Sequence, residues 1–345
     1  MPFTSKFMSE IIASILIPTY NRCDSLARAL ASLQQLDFAH ERYEVVVVDN
    51  NCTDATPQVA QQFGARYVKE PRLSFTVARR TGAEAARGKY LIYIDDDVTV
   101  EPQWLRAIVE AFEQDDKVGM VAGPIRGVFE QPPPDWVRRQ DPIMLSLYER
   151  DDAHDPPACL GPNLSIRRTA FFQVGGFPPD TLGVESQGKP GTFEKLYVGT
   201  GDSGMSYAVR HAGYTIVYAP QAITYHHIPP VRCTESWWHS RYAGEGCCIA
   251  ISEQQAVPVS RVALMVRAAK SALKAGLHQA AQPFGFALKN PQHNAFMTSF
   301  HRSQTRVWWT LANQPKLTDE LWALALSGAA PTDSERLFQL AKYLR

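Results

Sequence analysis

The sequence predicts an α/β protein, a mostly parallel sheet with helices on both faces, plus a helical C-terminal extension. Three observations predict it. Short apolar runs rich in β-branched residues alternate with segments of helical periodicity over the first 250 residues or so. Two of these runs end in aspartate, at the strand ends where open α/β sheets bind ligands. After about residue 250 the strand-like runs stop, and basic, aromatic-rich helical patterns take over.

The elements follow in order. Ile11 to Ile17 reads as a buried first strand, closed by Pro18-Thr19-Tyr20-Asn21-Arg22. Asp24 or Ser25 is expected to cap the next helix, whose apolar side holds Leu26, Leu30 and Leu33. Glu44 to Val48 is a second strand, ending at Asp49, and a helix near Ala55 to Phe63 precedes a short third strand, Ala65 to Val68. A helix over Thr76 to Ala86 leads into the strand Lys89 to Ile94, which ends in Asp95, Asp96 and Asp97. Pro102 opens a helix carrying Trp104, Ile108 and Phe112, and Val118 to Ala122 is a further strand. Gln131 to Pro157, rich in Pro and Asp, reads as an excursion; Gly161 to Arg168 contains a strand; Gly183 to Gly191 reads as a mobile loop. Asp202 precedes a helix over Ser206 to Ala212 that Gly213 stops, and Thr215 to Ala219 is a late strand.

Composition sets bounds. The chain has 345 residues, 45% hydrophobic and 20% charged, with no net charge, as expected of a soluble globular protein with a sizeable core. The charge is uneven, however. Gln254 to Thr318 holds no Asp or Glu but eight basic residues, Arg261, Arg267, Lys270, Lys274, Lys289, Arg302, Arg306 and Lys316. That segment, residues 254–318, fits an anionic partner, either a membrane surface or an anionic acceptor. The helix expected over Arg261 to Leu277 is equally compatible with packing on the rest of the protein. None of the six cysteines forms a C-x-x-C pair, so they read as reduced thiols of a cytoplasmic protein rather than a zinc site or disulfide framework. Met1 to Glu10 shows no secretory pattern, and no run is apolar for long enough to span a bilayer.

Three carboxylates at one strand end repel one another and resist desolvation. A divalent cation that also held phosphate oxygens would offset this, the alternative being a solvated acidic loop.

The ordered series Pro18-Thr-Tyr-Asn-Arg22, Val47-Val-Asp-Asn-Asn-Cys-Thr-Asp54, Tyr93-Ile-Asp-Asp-Asp97, Gly161-Pro-Asn-Leu-Ser-Ile-Arg-Arg168, Gly175-Gly-Phe177, Gly201-Asp202 and Arg210 to Pro220, with His226 and His227 beyond, closely resembles the family-2 glycosyltransferases of GT-A (Rossmann-like) fold, over roughly residues 11 to 250. The resemblance implies a catalytic domain over residues 1–250, with nucleotide-sugar binding in 11–125 and the acceptor side in 126–250, and a helical extension over 251–345. It implies inverting transfer of a sugar from a nucleotide-diphosphate donor, UDP-sugar above all, to an acceptor hydroxyl, with Mn2+ or Mg2+. The implied setting is polysaccharide or glycolipid biosynthesis. Expected partners are that donor and a glycan or lipid-linked acceptor, with no nucleic acid. The expected location is the cytoplasm or the inner face of the membrane.

The implied roles distribute as follows. Asp49 binds the nucleotide base, unless it only organises the Asp-Asn-Asn turn; Pro18, Thr19, Tyr20 and Arg22 belong to the same pocket, Tyr20 being equally readable as core. Arg79 contacts the donor, whereas Arg80 replaces the Asn usual in the family and reads equally as a surface arginine. Asp97 is the metal ligand, with Asp95 on the nucleotide and Asp96 on ribose or sugar hydroxyls. Asp202 is the general base or, alternatively, a helix cap. The family's Glu-Asp is here Gly201-Asp202, and a later acidic position is Gly204. His226, in preference to His227, is a further metal ligand unless it is a satisfied loop histidine. Trp237 and Trp238 mark the acceptor side, where an aromatic face would stack on a sugar, unless they are buried. A sugar nucleotidyltransferase would need a glycine-rich phosphate loop after the first strand, which Pro18 to Arg22 is not. A non-catalytic nucleotide-sugar-binding relative stays open because of Gly201.

Overall fold

The computed structural model describes residues 10–150, 156, 158–179, 181–185, 193–197, 200–282 and 291–314, with residues 316, 320 and 323. Strand β1, Ala13–Thr19, is buried along its whole length, and it pairs in parallel with β2, Tyr43–Asp49, on one side and β4, Tyr90–Tyr93, on the other. Its side chains alternate between two cores. Ile15 and Ile17 face helices α1, Cys23–Leu33, and α4, Trp104–Glu113; Leu16 faces α3, Phe75–Ala85, and the two cores flank the sheet. This two-sided burial is why the strand reads as a continuous apolar run.

The main sheet has seven strands. Helix α2, Thr56–Gln62, leads to β3, Arg66–Lys69, which pairs in parallel with β2 at one edge. Beyond β4 lie β8, Leu164–Arg167, then β6, Val118–Ala122, and β11, Thr215–Tyr218, giving the order β11-β6-β8-β4-β1-β2-β3. β8 runs antiparallel to both of its neighbours; the remaining pairs are parallel. From β1 the chain first moves outward through β2 and β3, then crosses back to β4 on the opposite side. The β1–β4 boundary is therefore a topological switch point, the place where such sheets open a ligand crevice.

A second sheet of three strands was not visible in the sequence. It holds β5, Val98–Val100, β7, Ile125–Phe129, and β12, Thr224–Ile228, with β12 in the centre. Its short strands carry polar residues on an exposed face, so neither length nor alternation signals them. Helices α5, Asp135–Arg138, and α6, Arg168–Gln173, are short; β9, Thr181–Glu185, and β10, Phe193–Tyr197, form an antiparallel hairpin. Within the expected mobile loop, residues 183–185 are thus strand, and residues 186–191 lie outside the described residues. Helix α7, Gly201–His211, starts earlier than expected and carries Asp202 in its first turn, so Asp202 is not its cap. Nor is α1 capped by Asp24 or Ser25. Its first backbone N–H, on Cys23, donates to Asp54 Oδ2 at 2.9 Å, so the cap comes from the loop after β2.

The extension consists of α8, Glu235–Ala256, α9, Arg261–Ala281, and α10, Pro291–Asn313; residue 250 falls inside α8. α10 packs on both of the other helices. Gly246 of α8 lies so close to the Phe300 carbonyl of α10 that a side chain there would not fit. An aromatic cluster joins α5, α8 and α10: Trp238 stacks on Phe296 with centroids 5.8 Å apart and meets Trp136 edge-on at 6.1 Å.

Candidate active site

The carboxyl ends of β1 and β4 meet at the switch point. Thr19 closes β1 and donates its hydroxyl to Asp96 Oδ2 at 2.7 Å. Arg22 donates to Asp96 Oδ1 at 2.7 Å and to Asp97 Oδ2 at 3.0 Å. The turn after β4 therefore has its second and third carboxylates fastened to the turn after β1. Burial pushes Asp96 up to about 6, and neighbouring Asp97 adds to this against the opposing charge of Arg22. Burial also opposes ionisation of Asp97, yet the positive charges of Arg232 and Arg22 beside it hold it below the usual carboxylate range. Asp95 is more open, 28% exposed, and is pushed upward chiefly by burial, with Arg79 opposing.

His226 reaches this corner through register. β12 pairs antiparallel with β5, and His226 lies opposite Val98, one residue past Asp97. It is a strand residue and buried, not a loop histidine. His227 points to the other face, with Nε2 3.2 Å from Thr99 Oγ1. The Nδ1 of His226 lies 3.0 Å from the Leu145 carbonyl oxygen, and Arg232 donates to Nε2 at 2.7 Å. A carbonyl accepts only from an N–H, so these partners assign the proton to Nδ1 and the lone pair to Nε2. Asp97 Oδ1 lies 3.4 Å from that nitrogen, buried and without a hydrogen-bond partner.

The other half of the corner is built around Arg79. Its guanidinium is sandwiched near the rings of Phe75 and Phe177, 4.0 and 4.7 Å from their centroids. It donates to Asp202 Oδ1 at 2.5 Å and lies 4.0 Å from Asp95 Oδ1. Asp202 Oδ2 accepts from the backbone N–H of Gly161 at 2.7 Å. Asp202 also sits in the first turn of α7, where the helix dipole favours a carboxylate. Arg79, the expected donor contact, thus pairs with Asp202 and borders Asp95. A Cβ on Gly161 would stand 2.5 Å from Arg79 Nη2 and 3.0 Å from Asp202 Oδ2, so a larger residue there would force this pair to shift. A side chain at Gly204, the other position that departs from the family, would collide with Thr200.

Asp49 is buried with both oxygens engaged. Oδ1 accepts from the Cys52 N–H at 2.6 Å and Oδ2 from the Tyr67 hydroxyl at 2.5 Å. The turn-organising reading of Asp49 is thus realised in geometry. Asn50 stitches this turn to the segment ahead of α3, donating to the Glu70 and Arg72 carbonyls and accepting from the Ser74 N–H. Pro18 is buried beneath, and Tyr20 is partly exposed. Arg80 is a surface residue, paired with Glu84 at 2.9 Å. Trp238 corrects the acceptor-side expectation. It is fully buried in the aromatic cluster, its indole N–H donates to the Arg232 carbonyl at 3.0 Å, and it has no face left for a sugar. Trp237 is partly buried against it. Beside Asp202 there is instead a cleft of about 390 Å³ lined by Ile143, Tyr148, Leu160, Ser203, Tyr207 and Arg210.

Sequence reasoning missed Arg232 and Gly161. Gly161 lay in a quoted motif but offered no side chain to reason from. Arg232 follows Pro229 and Pro230 in a short 3-10 turn, and no spacing rule links it to Asp97, 135 residues away.

The corner gathers carboxylates of Asp95, Asp96, Asp97 and Asp202 around guanidiniums of Arg22, Arg79 and Arg232. It sits at the switch-point crevice of a mostly parallel sheet flanked by helices, the architecture of a GT-A fold. Residues 14–175 match the family described as Glycosyl transferase family 2. An uncharacterized glycosyltransferase of Mycobacterium tuberculosis is 30% identical over 181 residues, covering 51% of this chain and 79% of that protein. The chain belongs to glycosyl transferase family 2. It is also similar to Glycosyltransferase AglE of Haloferax volcanii, 24% identical over 223 residues, 63% of this chain and 67% of that protein. Validoxylamine A glucosyltransferase of Streptomyces hygroscopicus subsp. jinggangensis is 30% identical over 203 residues, 50% of this chain, which spans 48% of that protein's length. Among solved structures, a mannosyltransferase from Pyrobaculum calidifontis in complex with GDP-Man and Mn2+ superposes with TM-score 0.50 at 18% identity, covering 96% of this chain and 84% of that one. This last likeness concerns the fold.

Proposed function

We propose that the chain transfers a sugar from a nucleoside-diphosphate donor to an acceptor hydroxyl, with inversion. One observation carries this reading: Asp97 Oδ1, buried and unpartnered, faces the Nε2 lone pair of His226 at the β1–β4 switch point. Two convergent lone-pair groups of these types fit a divalent cation, and the imidazole nitrogen favours Mn2+ over Mg2+. Among the described residues no group of three or more His, Cys, Asp or Glu forms a complete cage, so phosphate oxygens and water would supply the remaining ligands. Asp97 and His226 would hold the metal, and when bound it would supply positive charge to the departing diphosphate. The mannosyltransferase of similar fold was solved with GDP-Man and Mn2+, which supports this cofactor class.

The chain's own residues do the rest. Arg22 and Thr19 orient Asp96 toward ribose or sugar hydroxyls, and Asp95 lies toward the nucleotide. Asp49 and the turn it organises, with Pro18 and Tyr20, wall the base. Arg79 and the Gly161 N–H hold Asp202 in place, while the second lone pair of each oxygen remains to accept a proton. As the acceptor oxygen bonds to the anomeric carbon, the bond from that carbon to the phosphate oxygen breaks, and the hydroxyl proton passes to Asp202. The cleft beside Asp202 takes the acceptor. Replacing Asp202 by Asn tests the base. Turnover falls by about 10²–10⁴-fold while donor affinity holds. A variant that keeps full turnover removes Asp202 from the chemistry, and tight nucleotide binding by the wild type without turnover over a donor panel identifies a non-catalytic binder.

We further read the exposed face of α9 as a peripheral contact with anionic lipid. No helix among the described residues is long and apolar enough to cross a membrane. Yet Val262, Val266, Leu273 and Leu277 are exposed on α9, opposite its buried Leu264, Ala268 and Ala275, with Lys270 and Lys274 exposed beside them. A basic and apolar face of this kind suits an anionic bilayer surface. The acceptor class that fits is a lipid-linked or polymeric glycan.

A further inference from the structure

Arg232 occupies the place where a cation between Asp97 and His226 belongs. It donates to His226 Nε2 at 2.7 Å and to Asp97 Oδ2 at 3.0 Å, and its side chain is only 19% exposed. It thereby uses the very lone pair that Leu145 leaves open by accepting from Nδ1–H. The backbone that carries Arg232 is pinned from behind, because buried Trp238 donates its indole N–H to the Arg232 carbonyl at 3.0 Å. Arg22 meets the same Asp97 oxygen from the other side at 3.0 Å. A nitrogen lone pair cannot serve a guanidinium and a metal ion at once, and two cations this close repel each other.

We propose that Arg232 is the protein's resident counter-cation for the metal seat, and that a divalent ion enters only by displacing it. The Arg232 guanidinium neutralises buried Asp97 in the ligand-free protein, where an uncompensated carboxylate would be costly. Metal alone must then exchange one cation for another and binds weakly. Metal arriving with a nucleoside diphosphate brings two or more negative charges, which receive the released guanidinium as well as the ion. Arg232 therefore couples metal binding to nucleotide binding, and by linkage the coupling runs equally in both directions. The inference rests on the reading of Asp97 and His226 as metal ligands, and goes beyond it in assigning the gate to a residue that is neither ligand nor base.

The test is Mn2+ titration followed by electron paramagnetic resonance, on the full chain, with and without GDP or UDP, for wild type, Arg232→Gln and Arg232→Lys. The expected result is that Arg232→Gln binds Mn2+ alone about tenfold or more tightly than wild type, and that the gain in Mn2+ affinity from nucleotide shrinks by a similar factor. Arg232→Lys, whose single ammonium replaces a two-pronged fork, falls between, and it carries the test if the Gln variant does not fold. Unchanged or weaker binding of Mn2+ alone by folded variants overturns the gate while leaving the metal site intact. Absence of Mn2+ binding in wild type even with nucleotide overturns both the gate and the metal reading beneath it.

Discussion

At the residue scale the site depends on close contacts between charged groups rather than on any one side chain. Both oxygens of Asp202, the proposed base, are held, one by Arg79 at 2.5 Å and one by the Gly161 N–H at 2.7 Å. Gly161 is therefore as consequential as the charges around it. Gly161→Ala places a methyl group against Arg79 Nη2 and Asp202 Oδ2. Forced displacement of this pair is expected to cost about 1–3 kcal/mol of stability and to lower turnover more than donor affinity. Thermal melting with steady-state kinetics checks this; an alanine variant of wild-type stability and rate would show the contact to be slack.

At the element scale, packing determines what the sequence shows and hides. β1 and β2 are legible because they are buried on both faces, and the three aspartates are legible because they end such a strand. The second sheet is not legible, because β5 has three residues and β12 carries His226 and His227 in an alternation that resembles a loop. Only the β12–β5 register explains why His226, and not its neighbour, meets Asp97. Trp238 is hidden for the opposite reason: an aromatic residue in a polar stretch looks like a surface feature until α10 covers it. The extension has its own acid sensitivity. Burial lowers His293 and His301, with His278 nearby adding to the effect on both. The folded state prefers their neutral form, while unfolded imidazole titrates near pH 6.5. Their contribution is therefore complete above about pH 6.5 and is lost as pH falls through that value and then the lower folded one. Fluorescence of Trp308 and Trp309 should report a lower melting temperature at pH 5 than at pH 7. A pH-independent transition would mean these histidines are already solvated.

At the scale of the whole molecule, a neutral chain is divided into an acidic crevice and a basic, partly apolar extension. On the proposed reading the crevice takes a cation and a phosphorylated ligand, and the α9 face an anionic surface. Vesicles rich in anionic phospholipid should retain the protein, neutral vesicles should not, and Leu273→Asp should weaken retention severalfold at low salt. Equal partition to both vesicle types would assign the α9 face to another role. The central claim concerns the crevice, and calorimetry of GDP and UDP binding with and without Mn2+ addresses it most directly. Wild type should bind at least one of these nucleotides only with Mn2+, and Asp97→Ala should lose that binding while keeping its fold. Nucleotide binding that needs no metal and survives unchanged in Asp97→Ala would contradict the account.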